Sequence, residues 1–407
     1  MKTSKTPLSM VMAALLSVST AVCATEPVVS VEEPSVKEPS AEKPNNDPQI
    51  KAKDDIAAPK AANSDVTPSE NEQDSEALPD RKFAAFPVPI TDDALGVGLG
   101  VNAMYIHDRE EGATNPSTSM FYGQYTDSDS GMAIVGHEHV FAHDAWRAGF
   151  YAGHFSLNLK YTGRIGAKLP KAAQYASYSN FVYGEVRKQI VNDLYFGVQG
   201  LWSGGDASLN EKTDPEIKKA FENAMSGSNH AVGFLMTYDS RDNMMGATQG
   251  LNVDLSTLHY SKDKKTGKPF HRLDAEVSQY FPIGDDVFAY RVIGKEMIGD
   301  TPEYEFVTPD LRGADWNKYR GNSMYQAEVE YRHKFSTLWS GVAFAGAAVV
   351  QNDDRQVNRA VQTEVIPSAG IGVRYLLNAK ERFTIGVDAA VSKMGNTSFY
   401  IRFGEAF

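Results

Sequence analysis

From Phe83 onward the chain alternates apolar and polar residues with a period of two. Between Tyr325 and Arg332, one face holds Tyr325, Ala327, Val329 and Tyr331, and the other Gln326, Glu328, Glu330 and Arg332. Phe383 to Val391 repeats the pattern, with Phe383, Ile385, Val387, Ala389 and Val391 together. From Asp286 to Glu296, Phe288, Tyr290 and Val292 oppose Arg291 and Lys295. A soluble sandwich also alternates, but it turns its polar face to bulk water and its apolar face to a core. Here the runs last about 9–12 residues and end in aromatics, as strands do that show apolar side chains to lipid and polar ones to a lumen. The predicted fold class is all-β, a transmembrane antiparallel β-barrel.

Strands are expected near 83–90, 96–106, 117–127, 132–141, 146–156, 178–190, 194–203 and 230–239. A second eight follow near 249–260, 270–282, 286–297, 323–335, 339–351, 368–378, 382–392 and 398–407. Short connections (142–145, 191–193, 283–285, 336–338, 379–381) alternate with long ones (157–177, 204–229, 261–269, 298–322, 352–367). Short periplasmic turns and long external loops fit a barrel of sixteen strands. The first strand carries Pro87 and Pro89, which a ladder tolerates only where it is edge-like or irregular. Without that strand, and with another element merged, the count becomes fourteen. In 204–229, Asp214 as cap, Pro215 in the first turn and the stripe Ile217, Phe221, Ala224 or Met225 predict a helix resting on the rim or closing over the mouth.

Composition divides the chain. Residues 1–82 contain none of the 33 glycines and none of the Phe, Tyr or Trp residues. Lys2 and Lys5 precede an apolar stretch from Met10 to Val22, and Val22-Cys23-Ala24 has the small-x-small pattern of a signal-peptidase site. Residues 1–24 are thus expected to be a cleaved signal peptide that directs export to the cell outer membrane. A lipidated Cys23 is the competing reading, with Thr20-Ala21-Val22 a poor lipobox. Residues 25–82 are rich in proline and acidic residues, and such a stretch cannot support a core, so it is expected to be a disordered periplasmic segment. That leaves 83–407 as the barrel domain. A net charge of −12 excludes a basic nucleic-acid binder, and a single cysteine excludes a disulfide scaffold. After the start no apolar run reaches the roughly 18 residues a membrane helix needs.

Several residues look chemical. Gly96-Val-Gly98-Leu-Gly100 is followed by more strand rather than by the helix of a nucleotide loop. His137 and His139 share a strand face near His143 and His154, but no fixed set of further ligands accompanies them. No Gly-x-Ser-x-Gly occurs, although a Ser–His pair assembled across strands stays open. The reading is of no enzyme: no catalytic residue, no metal and no cofactor.

Three places carry a family resemblance. Tyr238-Asp-Ser-Arg-Asp-Asn243, with Gly250-Leu251, resembles a turn signature of the BamA/TamA outer-membrane insertase family, the bacterial surface antigen barrels. Its residues are Asp239, Arg241, Asp242 and Gly250. Leu311-Arg312-Gly313, then Tyr319-Arg-Gly-Asn322 and Glu330-Tyr331-Arg332, resembles that family's sixth loop and the strand after it. Pro367 to Tyr375 and Phe403-Gly-Glu-Ala-Phe407 are similar to its last strands.

The resemblance implies a sixteen-stranded barrel whose sixth loop folds inward, bringing Arg312, beside Gly313, to Glu330. An arginine in a confined lumen needs an acidic partner in any case, and in a half-wet lumen losing one is expected to cost roughly 1–3 kcal/mol. Ala314 replaces the family's usual aromatic, and Gly346 stands where a second acidic partner is expected, so the loop should be held less firmly. The family's periplasmic POTRA modules have no counterpart in 25–82, which places the chain with a branch lacking them. Phe399, Phe403 and Phe407 are expected on one lipid-facing strand face, similar to the terminal signal read by barrel assembly machinery. The implied partners are outer-membrane lipid, that machinery during biogenesis, and client membrane proteins or lipids. The function implied is assistance in membrane-protein or lipid assembly; the alternative is a passive pore or surface-exposed structural barrel.

Overall fold

The computed structural model describes residues 78–92, 95–111, 113, 115–160, 174–209, 215–261, 268–302, 305–314, 319–352, 362–392 and 397–407. The expected signal peptide, nearly all of the expected acidic segment and the expected cap at Asp214 lie outside the described residues. The strands are β1 (Phe83–Asp92), β2 (Gly96–Ile106), β3 (Thr118–Thr126), β4 (Gly131–Phe141), β5 (Trp146–Lys160), β6 (Gln174–Val191), β7 (Leu194–Leu209) and β8 (Gly227–Asp239). They continue as β9 (Gly250–Tyr260), β10 (Phe270–Ile283), β11 (Asp286–Gly299), β12 (Ser323–Lys334), β13 (Trp339–Asn352), β14 (Gln362–Asn378), β15 (Phe383–Ser392) and β16 (Thr397–Phe403). All sixteen form one antiparallel sheet in sequence order, and among the described residues no helix is long and apolar enough to cross a membrane.

Alternation sets the two faces. In β12, Tyr325, Val329 and Tyr331 are exposed outside while Gln326, Glu328, Glu330 and Arg332 are buried within. Val97, Leu99, Phe121, Val135, Phe150, Phe196, Phe234 and Ile371 extend the exposed apolar exterior around the wall. One helix, α1 (Pro215–Met225), precedes β8 and packs Phe221 against Tyr175 at a ring distance of 5.2 Å. Two connections depart from the short-turn rule. Residues 107–117, between β2 and β3, and 240–249, between β8 and β9, are long although they lie at the end where β1 begins.

The seam between β1 and β16 is a lap joint. Among the described residues no ladder pairs these two strands. Asp388 and Arg402 point into the lumen, so Ile385, Ile401 and Phe403 occupy the outer face of β15 and β16. That face is covered by the inner face of β1 and β2: Phe403 meets Phe86 at 4.5 Å, and the cluster includes Val88, Met104 and Ile106. Backbone bonds from Arg81 to Leu377 (3.0 Å) and from Ala379 to Pro79 (2.8 Å) pin the lead-in to β1 against the β14–β15 turn.

Phe407 corrects the sequence expectation. The strand stops at Phe403, and Gly404, at φ +69°, turns the last residues inward. Phe407 packs beside Tyr280, Ala247, Val287 and Ala289 instead of sharing the outer face of Phe399 and Phe403. Gly404 opens a left-handed bend that a continuing strand would not make.

Candidate functional site

One connected set of buried charges surrounds Arg312 in the lumen. Between β11 and β12 the described part of the 300–322 connection dips inward, and its segment Leu311–Ala314 is buried. Arg312 reaches Glu330 at 2.7 Å, Glu328 at 2.5 Å and Asp388 at 3.2 Å. Its guanidinium also stacks over Phe344, 3.4 Å from the ring centre, which adds a cation–π contact to the ion pairs. Gly313 adopts φ +87°, and a side chain there would press on Ser368 Oγ at 3.1 Å. The Ser368 hydroxyl donates to the carbonyl of Arg312.

The set extends through shared carboxylates. Glu330 also holds Arg332 at 2.7 Å; Asp388 holds Arg374 at 2.5 Å and Arg402 at 2.9 Å; Glu405 lies 3.3 Å from Arg374 and 3.6 Å from Arg332. Arg312, Arg332, Arg374 and Arg402 thus face Glu328, Glu330, Asp388 and Glu405, and the set is neutral. Buried charges persist only when paired in this way.

Acidic partners for Arg312 beyond Glu330 come from positions other than Gly346. Gly346 lies opposite Glu328 in the β12–β13 ladder and leaves room for Leu311, whose Cδ1 would sit 2.9 Å from an added Cβ. The further acids come from Glu328 and Asp388. Asp388 was legible as the one carboxylate on the polar face of the Phe383–Val391 run; its arrival beside Arg312, from a strand 76 residues on, was not.

At the opposite mouth, the turn 240–249 folds over the end of the barrel. Asp239 binds Arg241 at 2.9 Å and Arg147 at 3.2 Å, and Arg147 also binds Asp144 at 2.5 Å and lies over Tyr195. Asp242 accepts from the Thr248 hydroxyl (2.6 Å) and from Arg382 (2.5 Å). Partial burial pushes the Asp242 carboxyl up, but donors from Thr248, Arg382 and Gln249 outweigh it and hold the group below its ordinary value. Gly250, at φ +106°, has the Ser240 carbonyl 2.3 Å from where a Cβ would lie. Met245 and Ala247 are buried in the mouth, and Arg332 donates to the carbonyls of Ala247 (3.0 Å) and Phe407 (2.8 Å). Glu330 therefore touches the loop through Arg312 and the turn and tail through Arg332.

His137 and His139 lie on the outer wall, in a row with His107 and Phe141. Among the described residues no group of three or more His, Cys, Asp or Glu side chains converges to hold a metal.

No family model matches the sequence, and no curated protein is similar to it. Solved structures are. CdiB from Escherichia coli superposes with TM-score 0.52 at 11% identity, covering 80% of this chain and 63% of that one. CdiB from Acinetobacter baumannii gives TM-score 0.50 at 11% identity, covering 79% and 60%. The fold is that of a CdiB-type barrel. BamA from Haemophilus ducreyi lacking POTRA domains 1–3 gives TM-score 0.49 at 13% identity, covering 79% of this chain and 69% of that one. The chain thus spans less than two thirds of the CdiB structures that share its fold.

Proposed function

We propose that the chain is exported through a signal peptide cleaved after Ala24 and works in the outer membrane as an assembly barrel, its first and last strands parting to admit a client membrane protein or lipid. The seam carries this reading. Each joint from β1 to β16 is a hydrogen-bonded ladder, whereas β1 meets β16 through side-chain packing centred on Phe86 and Phe403. A wall in lipid parts most readily where no backbone bonds must be broken. The exposed apolar exterior supports a lipid setting. A lumen occupied by Leu311–Ala314 and by the 240–249 turn weighs against a permanently open pore.

Depletion in the source cell tests it. Loss of other barrels from the outer membrane supports assembly; altered solute permeability alone supports a passive pore instead. Fractionation tests the location: the mature chain should begin at Thr25, sediment with the outer membrane and migrate differently on a gel when unheated. A main species that is soluble in the periplasm would overturn the placement.

A further inference from the structure

On the far side of the barrel from the seam, one cross-strand row of outward residues is interrupted by glycine. The ladders pair Gly184 with Gly200, Gly200 with Val232, Val232 with His259 and His259 with His271. Phe150 continues the row beyond Gly184 on β5. Strands tilt in a barrel, so such a row slopes across the membrane. Phe150 lies near the start of β5, beside the 142–145 turn, whereas His271 lies at the start of β10, toward the opposite mouth. The paired glycines leave a notch. Among the described residues, an added Cβ at either would find only a carbonyl oxygen, 3.9 Å away. Val198 and Trp202 flank Gly200 along β7, and Val182 flanks Gly184 on β6, all of them exposed. The result is a groove of about 500 Å³ walled by Val198, Val232, Phe234 and His259. Small-ligand sites commonly span about 300–1,000 Å³.

The β8–β9 ladder lapses under this groove, between the pairs Val232–His259 and Leu235–Ser256. Ser261 N–H donates to the His230 carbonyl at 2.8 Å, which marks the even residues of β8 as those that bond to β9. Phe234 and Thr257 would exchange backbone bonds in a continuous ladder. Instead the Phe234 N–H donates to the Thr257 hydroxyl at 3.2 Å, and the Thr257 carbonyl accepts from the lumenal Gln199 amide at 2.8 Å. Gly233 makes room, since a side chain there would collide with that carbonyl. The freed donor and the freed acceptor each find a partner, so the gap is a formed feature of the wall.

His259 and His271 close the end of the groove away from the 240–249 turn. Their Nδ1 atoms share one hydrogen bond at 3.0 Å, and the rings meet edge to face with centres 5.0 Å apart. With Nδ1 engaged, each ring offers Nε2, and among the described residues neither Nε2 has a protein partner. In the neutral pair, the ring that accepts at Nδ1 must carry its proton on Nε2; one further proton makes both Nε2 atoms donors. The outward carboxylate at this end of β11, Glu296, is already taken by the hydroxyls of Ser323 (2.6 Å) and Tyr325. An amphiphile here would meet imidazole donors at one end and methyl groups and bare backbone along the rest.

We propose that this groove binds one anionic, phosphate-bearing lipid of the surrounding membrane, with its acyl chain along Gly184 and Gly200 and its phosphate on His259 and His271. The exposed apolar wall on either side makes the groove continuous with the lipid-facing surface, and the imidazole donors complement the phosphate. The proposal shares only the lipid setting with the assembly reading; it needs neither a client nor an opening of the wall.

The test uses the purified full chain in detergent micelles, with lipid retention read by native mass spectrometry and folding by the gel mobility of the unheated chain. The probes are dipalmitoyl phosphatidic acid, dipalmitoylglycerol and inorganic phosphate. One molecule of phosphatidic acid should be held about tenfold more tightly than dipalmitoylglycerol, the scale of one hydrogen bond to a charged group. Millimolar inorganic phosphate should not displace it. Gly200→Leu fills the notch and should weaken both lipids about tenfold, as the loss of two buried methylenes would. His259→Ala combined with His271→Ala should bring phosphatidic acid down to the level of dipalmitoylglycerol and leave the latter unchanged. These outward side chains keep the test decisive should Gly200→Leu fail to fold. Equal retention of the two lipids, full retention by folded Gly200→Leu, no effect of the double-alanine variant, or displacement by inorganic phosphate would overturn the proposal. The assay needs no other envelope component, so its outcome is separate from that of depletion.

Discussion

Arg312 and Glu330 meet at 2.7 Å with 5% and 0% of their side chains exposed. One comes from a loop and the other from the strand after it, and no water-facing surface remains to screen them. The penalty for breaking a buried pair of this kind is about 3–5 kcal/mol, above the range for a half-wet lumen. Arg312→Ala and Glu330→Ala should each lower stability on that scale. The double variant removes one charge of each sign, leaves the network neutral, and should be little worse than either single. Thermal transitions followed by gel mobility would show it; strictly additive losses would mean that the pair is not coupled.

Glycines at positive φ offer a graded comparison. Gly284, at φ +63°, has nothing within 4 Å of an added Cβ, so Gly284→Ala should cost only the left-handed backbone penalty of about 1–2 kcal/mol. Gly250→Ala adds a collision with the Ser240 carbonyl, and Gly313→Ala a tight contact with Ser368. The expected order of destabilisation is Gly250, then Gly313, then Gly284. Equal losses at all three would show that the crowding is relieved without cost.

Phe407→Ala should loosen the 240–249 turn rather than the lipid-facing wall, because the ring packs with Ala247, Tyr280 and Ala289. The ring is half-buried, so a loss of about 1–2 kcal/mol is expected, below that for full burial. Hydrogen exchange should quicken at residues 244–247 and stay unchanged in β16. Faster exchange confined to β16 would return Phe407 to the strand.

Acid should release the clasp at Asp242. Its carboxyl titrates below the ordinary 3.8 in the folded chain, so its contribution is complete above that value and is lost as pH falls through the lower folded one. Protease cleavage in 240–249 should therefore rise only below about pH 4. Asp242→Asn should already be cleaved faster at neutral pH and lack the acid step. Identical acid profiles for the two chains would exclude Asp242 as the titrating group.

Much of this was legible in the sequence, and the reason is local. A period of two assigns each residue of β12 to the wall or the lumen without any knowledge of its neighbours, and turn lengths order the strands. Strand ends were less clear: β5, β6 and β7 run on past the lipid-crossing length, where the pattern weakens. Contacts between distant strands were invisible. Nothing near Phe86 announces Phe403, and nothing near Arg312 announces Asp388 or Phe344, because such pairs depend on how the sheet curls. Arg312 and Glu330 were paired by a motif; the burial that sets their energy came only with the fold.

Glu330 bears on both mouths of the barrel at once. It holds Arg312, which carries the inward loop, and Arg332, which carries the carbonyls of Ala247 and Phe407. Withdrawing the loop would leave its carboxylate to Arg332 alone, and freeing the turn would leave it to Arg312 alone. The arrangement works as the interlock of an airlock, in which the state of the outer door is felt at the inner one through a single shared bolt.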